Sequence, residues 1–221
     1  MNNRLPNICY WCGISLTKES LRREHVPAFG FFPKGYRNNL ITVPSCETHN
    51  NYFSDIDEKF QLFIKGFKTN DVAIKDLNDR VKRGFERKEK QKFVEELERT
   101  SRSGKIYGVP HYFLALKENE AELFVEKIIR ALYFYHKHSP SKGVIQSVTN
   151  RIVYEGLNTI AIFEDLKMDL TTNLTQEGDY SNPEVFRYRY LDYGGLFTIF
   201  MQFYDHAEFI GIVYPDGFSF D

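Results

Sequence analysis

Two short pairs of metal-binding side chains, Cys9-Tyr-Trp-Cys12 and Cys46-Glu-Thr-His49, constrain this chain more than any other feature. They hold all three of its cysteines. Three thiols cannot close into a full set of disulfides, and in a reducing compartment thiolates at this spacing act as metal ligands. With one imidazole they make a four-donor set of the kind that holds structural zinc in a tetrahedron, with no open position for chemistry. The chain must therefore return residue 46 to the side of residue 9. The intervening text suits that path. Residues 21–26 and 40–43 read as short strands, a loop over 27–37 carries Pro33 and two glycines, and a helix begins near Cys46.

The bulk of the chain excludes several classes. Hydrophobic residues at 42% and charged residues at 27% describe an ordinary globular protein. The longest apolar runs, 128–135 and 197–203, fall far short of a membrane span. The opening Met-Asn-Asn-Arg-Leu-Pro carries no apolar signal segment, so a cytoplasmic protein without membrane contact is expected. The net charge is −1, but the first 105 residues sum to +6 and the remainder to −7. A polyanion would meet the N-terminal half first.

The expected class is α+β, with a unit over 1–68 and an accessory region over 69–221. The first helix should run on past Asp57, with Phe53, Phe60, Phe63, Ile64 and Phe67 on its apolar stripe. Residues 71–102 read as one long helix, basic in its middle at Lys82, Arg83, Arg87, Lys88, Lys90 and Lys92. It should break near 101–104, before a strand over 112–116. A strong helix covers 118–138, acidic at its start and ending in His136, Lys137 and His138, where the two histidines read as cations opposing the helix dipole. In the last third, 159–163 reads as a strand and 173–183 as a loop. The strands over 186–191, 197–204 and 209–214 build an aromatic-rich antiparallel hairpin that turns at Asp205-His206.

Between the halves of the clamp lies Glu24-His25-Val26-Pro27, with asparagines at 38, 39, 50 and 51. In this order and spacing, residues 9–60 resemble the HNH endonucleases, the zinc-bound branch of the ββα-metal nucleases. The resemblance implies a ββα unit stapled by zinc on Cys9, Cys12, Cys46 and His49. It implies that His25 is the general base that activates water against a phosphodiester. It implies that Glu24 and Asn50, or Asn51 in its place, hold a catalytic Mg²⁺ or Mn²⁺. Asn39, or Asn38, would tie the loop between the strands and orient the base; the stretch from Asn39 to Cys46 is about two residues longer than the family's pattern.

More loosely, the rest of the chain resembles the accessory parts of longer bacterial proteins that begin with such a unit. Some of those belong to defence against phage or foreign DNA. The implied partner is nucleic acid, DNA rather than RNA. The basic stretch near 82–92 would track its backbone, and the acidic C-terminal part would serve as a scaffold, a homodimer surface or a dock for another protein. The competing expectation is an uncatalytic zinc-stapled module of a defence or toxin system, which binds nucleic acid or protein without cutting.

Overall fold

The computed structural model describes residues 5–66, 70–81, 91–106, 109–114, 119–149, 159–173 and 176–220. The fold is mixed α+β, with helices and antiparallel sheets. Strand β1 (Arg22–His25) pairs antiparallel with β2 (Thr42–Ser45), so that Glu24 faces Val43 and His25 faces Thr42. Helix α1 (Glu47–Tyr52) follows at once, with Cys46 as its extended N-cap. The helix expected to run straight on is interrupted at Phe53 and resumes as α2 (Ser54–Gly66). Phe53, Phe60 and Ile64 of the expected stripe are buried, and Phe67 lies outside the described residues.

Within the long helix expected over 71–102, the described residues 71–81 and 91–100 are helical. Helix α3 (Asp71–Asp76) is capped by the Asn70 side chain, which accepts from the Ala73 amide, and runs into a π-helical turn, Leu77–Val81. Helix α4 (Gln91–Thr100) gives way directly to β3 (Ser101–Ile106). The change falls at the break expected near 101–104: β3 joins β4 (Val109–Leu114) in a two-stranded ribbon, where ladder hydrogen bonds take over the backbone. Residues 82–90, which hold most of the expected basic stretch, lie outside the described residues.

Helix α5 (Glu120–Lys137) matches the periodicity closely and sits at the centre of the molecule. One side meets α2 and β2; another lies on the C-terminal sheet. That sheet has the order β5-β9-β8-β7-β6, from β5 (Ile145–Thr149), β6 (Gln176–Glu177), β7 (Phe186–Tyr193), β8 (Leu196–Phe203) and β9 (Ala207–Val213). Tyr204 and Asp205 take positive φ in the β8–β9 turn. Alternation is clear along β8: Phe197, Ile199, Met201 and Phe203 face α5, while Phe200 faces the other way. Gly211 lets α5 lie close, because a Cβ there would overlap the Ile129 side chain. The opposite face is covered by α6 (Thr159–Asn173), through Phe163, Leu166 and Leu170. The strand expected over 159–163 is thus the first turn of a helix. Its β-branched run favours a strand locally, but Phe163 is buried by packing against Phe200 and Ile210, and tertiary contact decides.

The apolar cluster is continuous from Tyr10, Val26 and Val43 through Phe60 and Phe124 to Phe203 and Phe209. Phe60 and Phe124 stack with ring centres 4.3 Å apart. Phe31 bridges to Phe124 at 5.7 Å and to Phe203 at 5.3 Å, and its carbonyl accepts from the Tyr204 hydroxyl. No helix among the described residues is long and apolar enough to cross a membrane.

Candidate metal centre and hairpin site

The first ligand pair is shaped by its backbone. The Cys9 amide bonds the Ile14 carbonyl and the Gly13 amide bonds the Cys9 carbonyl, both at 2.9 Å. Gly13 closes this turn with φ +74°, a left-handed conformation that glycine adopts without strain. The Tyr10 amide then bonds the Pro44 carbonyl at 2.9 Å, which sews the turn to β2 and brings Cys9 beside Cys46. His49 lies one turn into α1. Its Nδ1 is 3.1 Å from Cys46 Sγ and 3.8 Å from Cys9 Sγ.

All four ligand atoms, from Cys9, Cys12, Cys46 and His49, lie within 4.8 Å of one another. Sulfurs about 2.3 Å from a tetrahedral zinc stand about 3.8 Å apart, so the cluster can hold such a metal ion. Burial pushes the Cys9 thiol up, but hydrogen bonds from the backbone at Cys12, Cys46 and Trp11 bring it below its ordinary value. Burial lowers the His49 imidazole, which favours the neutral, coordinating ring. Burial raises the Cys12 thiol, so its thiolate depends on a bound cation. Trp11 shields the cluster, with its ring 6.0 Å from His49 and edge-on to Phe53 at 4.8 Å.

His25 closes β1 on the face of the hairpin that also carries Arg23, Thr42 and Pro44. It is half-buried, its ring 5.2 Å from Phe29, and burial holds its pKa below the ordinary 6.5. That shift favours the neutral ring. Asn50 is half-buried on α1, and Asn51 is exposed. Asn39 is exposed and left-handed, with φ +49°, a conformation that asparagine tolerates in turns. The neighbouring Asn38 carbonyl accepts from the buried Asn182 side chain at 3.1 Å, which fastens the loop to the C-terminal region.

Glu24 points the other way. It is 7% exposed, and its carboxylate meets the Lys127 ammonium at 2.8 Å. The same ammonium bonds Asp57 at 2.5 Å and lies 5.3 Å from the centre of the Phe53 ring. Burial pushes Glu24 up, partly offset by Lys127. Asp57 is pushed up to about 6 by burial, again offset by Lys127, with the Glu24 charge adding to the rise. Buried near both carboxylates, the Tyr10 hydroxyl has no hydrogen-bond partner among the described residues, and burial raises its pKa.

Sequence reasoning missed the Lys127–Asp57 half of this group. Its one signal was a lysine within the apolar stripe of α5, beside Phe124, Ile128 and Ala131. His136 also differs from the cation expected at the end of that helix. Its Nε2 lies 2.9 Å from the Tyr188 hydroxyl, its ring packs 4.0 Å from Tyr190, and burial lowers its pKa.

Comparison of the chain with family models, with curated proteins and with solved structures finds no match.

Proposed function

We propose that the hairpin β1–β2 with α1 is the working centre of an HNH-type endonuclease, stapled by zinc on Cys9, Cys12, Cys46 and His49, that hydrolyses phosphodiesters in DNA. The observation that carries this reading is the place of His25: a half-buried imidazole, biased toward its neutral form by burial, at the end of β1, on the strand pair whose following helix supplies His49 to the four-ligand cluster. Zinc there orders the fold, since four protein donors leave it no open position.

His25 takes a proton from water as the water oxygen attacks phosphorus. The bond from phosphorus to the leaving 3′ oxygen breaks in line, and that oxygen takes up a proton from solvent. Thr42, opposite His25 in the register, fixes the backbone that presents the ring.

The divalent cation implied by the resemblance fits less well. Of its two expected ligands, Asn50 lies half-buried on α1, but the Glu24 carboxylate faces the core and is already bonded to Lys127.

The engagement of Glu24 by Lys127 favours a second reading, in which the zinc-stapled unit binds nucleic acid without cutting it. A nicking and degradation panel separates the two. The wild-type protein is incubated with supercoiled DNA, single-stranded DNA and RNA, with and without added Mg²⁺ or Mn²⁺. The first reading predicts nicked and linear DNA. Retained but intact nucleic acid under every condition would leave the binding module. A role in bacterial defence against foreign DNA is consistent with the first outcome.

A further inference from the structure

A cavity of about 710 Å³ opens along the hairpin. Arg23 of β1 and Thr42, Val43 and Pro44 of β2 line it. His25 is not itself part of the lining, but Thr42 is its partner in the register and Arg23 lies two residues before it on the same strand. The facing wall comes from elsewhere in the chain: Tyr135 on α5, and Asp179, Tyr180 and Ser181 before β7. Its size lies within the range of about 300–1,000 Å³ typical of small-molecule sites.

The lining is selective. Lys18 and Arg23 bring two positive charges, both on exposed side chains with no ion pair among the described residues. Against them the lining sets one carboxylate, Asp179. Two cations to one carboxylate leave the cavity with a net positive charge, which favours an anion. Tyr135 and Tyr180 are half-buried and supply flat apolar faces. Asn39 and Ser181 add exposed polar side chains at the rim. Cations beside aromatic walls match a ligand that carries both a phosphate and a planar ring. An apolar ligand would strand the charges, and an inorganic anion would leave the aromatic surface unused.

We propose that this cavity holds one unstacked nucleotide of a single-stranded substrate segment, next to the phosphate that His25 acts on. The base lies against Tyr135 and Tyr180, and its phosphate meets Lys18 and Arg23. The inference rests on the nucleic-acid reading of the hairpin and names the part of the substrate that is gripped. Aromatic stacking tolerates any base, so the cavity gives grip without sequence preference.

The test uses the full zinc-loaded chain in metal-free-substrate buffer, so that no cation supports cleavage during binding. A fluorescent 12-nucleotide single-stranded DNA reports affinity against salt, and a nucleoside 5′-monophosphate is titrated in parallel. Lys18→Glu with Arg23→Glu should weaken the oligonucleotide by more than about tenfold and lower the salt slope by up to about 1.4. Tyr180→Ala should weaken it by at least about fivefold at unchanged salt slope. Should the charge reversal disturb folding, Lys18→Gln with Arg23→Gln carries the same expectation at smaller size. A 5-iodouracil-bearing strand, irradiated in the complex, should crosslink to the peptides of Tyr135 or Tyr180. Unchanged affinity in all these variants, crosslinks confined to other peptides, or a monophosphate that needs Lys18 and Arg23 while the strand does not, would each overturn the proposal. The two readings fail separately. A protein that binds through these residues but cuts nothing keeps this inference and loses the nuclease. A protein that cuts, and whose cutting ignores these substitutions, does the reverse.

Discussion

Around the hairpin and α2, charged side chains are buried in pairs. Lys59 meets Glu120 at 2.7 Å, Lys65 meets Asp76 at 2.5 Å, and Lys127 holds both Glu24 and Asp57. All three of these lysines are at most 5% exposed. In the C-terminal sheet, burial is instead mostly apolar, through Phe186, Phe197, Ile199, Met201, Phe203 and Phe209. The sheet gains stability in proportion to the apolar area removed from water. The hairpin region shares the continuous apolar cluster and adds buried ion pairs and a set of four side chains able to ligate a metal. Such pairs need specific geometry to offset their desolvation, and each is costly to break from one side. The difference teaches where a site can be built. His25, the four-ligand cluster and one wall of the proposed nucleotide cavity belong to the region whose residues are positioned by directional bonds.

Metal removal should separate the regions most strongly. Structural zinc contributes on the order of 10 kcal/mol to small domains. Cys46→Ser, or strong chelation, should abolish amide-exchange protection in β1, β2 and α1 while the amides of β7, β8 and β9 stay protected. Equal loss in both regions would break the comparison.

The Lys127 triad comes next. Lys127→Ala leaves two buried carboxylates without their counter-charge and should cost about 3–5 kcal/mol in urea unfolding. A loss below about 1 kcal/mol would show that the group is solvated. In the sheet, Gly211→Ala forces the side chains of Ile129 and Ile199 aside and should cost about 1–3 kcal/mol through overpacking. That cost should be independent of zinc.

The smallest effect has the opposite sign. Asp57 rises from 3.8 to about 6, so its protonated form favours the folded state. Its contribution is present below about pH 4 and is lost as pH rises through about 6. Asp57→Asn keeps the Glu24–Lys127 pair and should flatten that slope, leaving the protein about 1–2 kcal/mol more stable at pH 7.5. Melting curves across pH 4–8 would show it, and a destabilised variant at pH 7.5 would contradict it.

Legibility in the sequence followed the range of the forces. The Cys9–Cys12 turn and α5 were readable because ligand spacing and helical periodicity are local. The β7–β8–β9 meander was readable from alternation and the turn at Asp205. Helix α6 was not, because Thr159–Phe163 has strand propensity and becomes helical only where Phe163 docks on Phe200 and Ile210. The ribbon β3–β4 was half-readable: one strand was expected, and its partner was hidden in a charged stretch. Glu24 was picked out as a residue of the site, but the fact that it meets Lys127 and Asp57 depends on α5 crossing the hairpin, and no local pattern carries that.

The most direct test of the central claim compares the two histidines of the hairpin unit in one nicking assay, with zinc content measured on the same preparations. His25→Ala should slow cleavage by about 10²-fold or more while zinc, melting temperature and oligonucleotide binding stay at wild-type values. His49→Ala should lose zinc and melt early. Wild-type cleavage in His25→Ala, or loss of zinc from it while His49→Ala keeps its metal, would contradict the account.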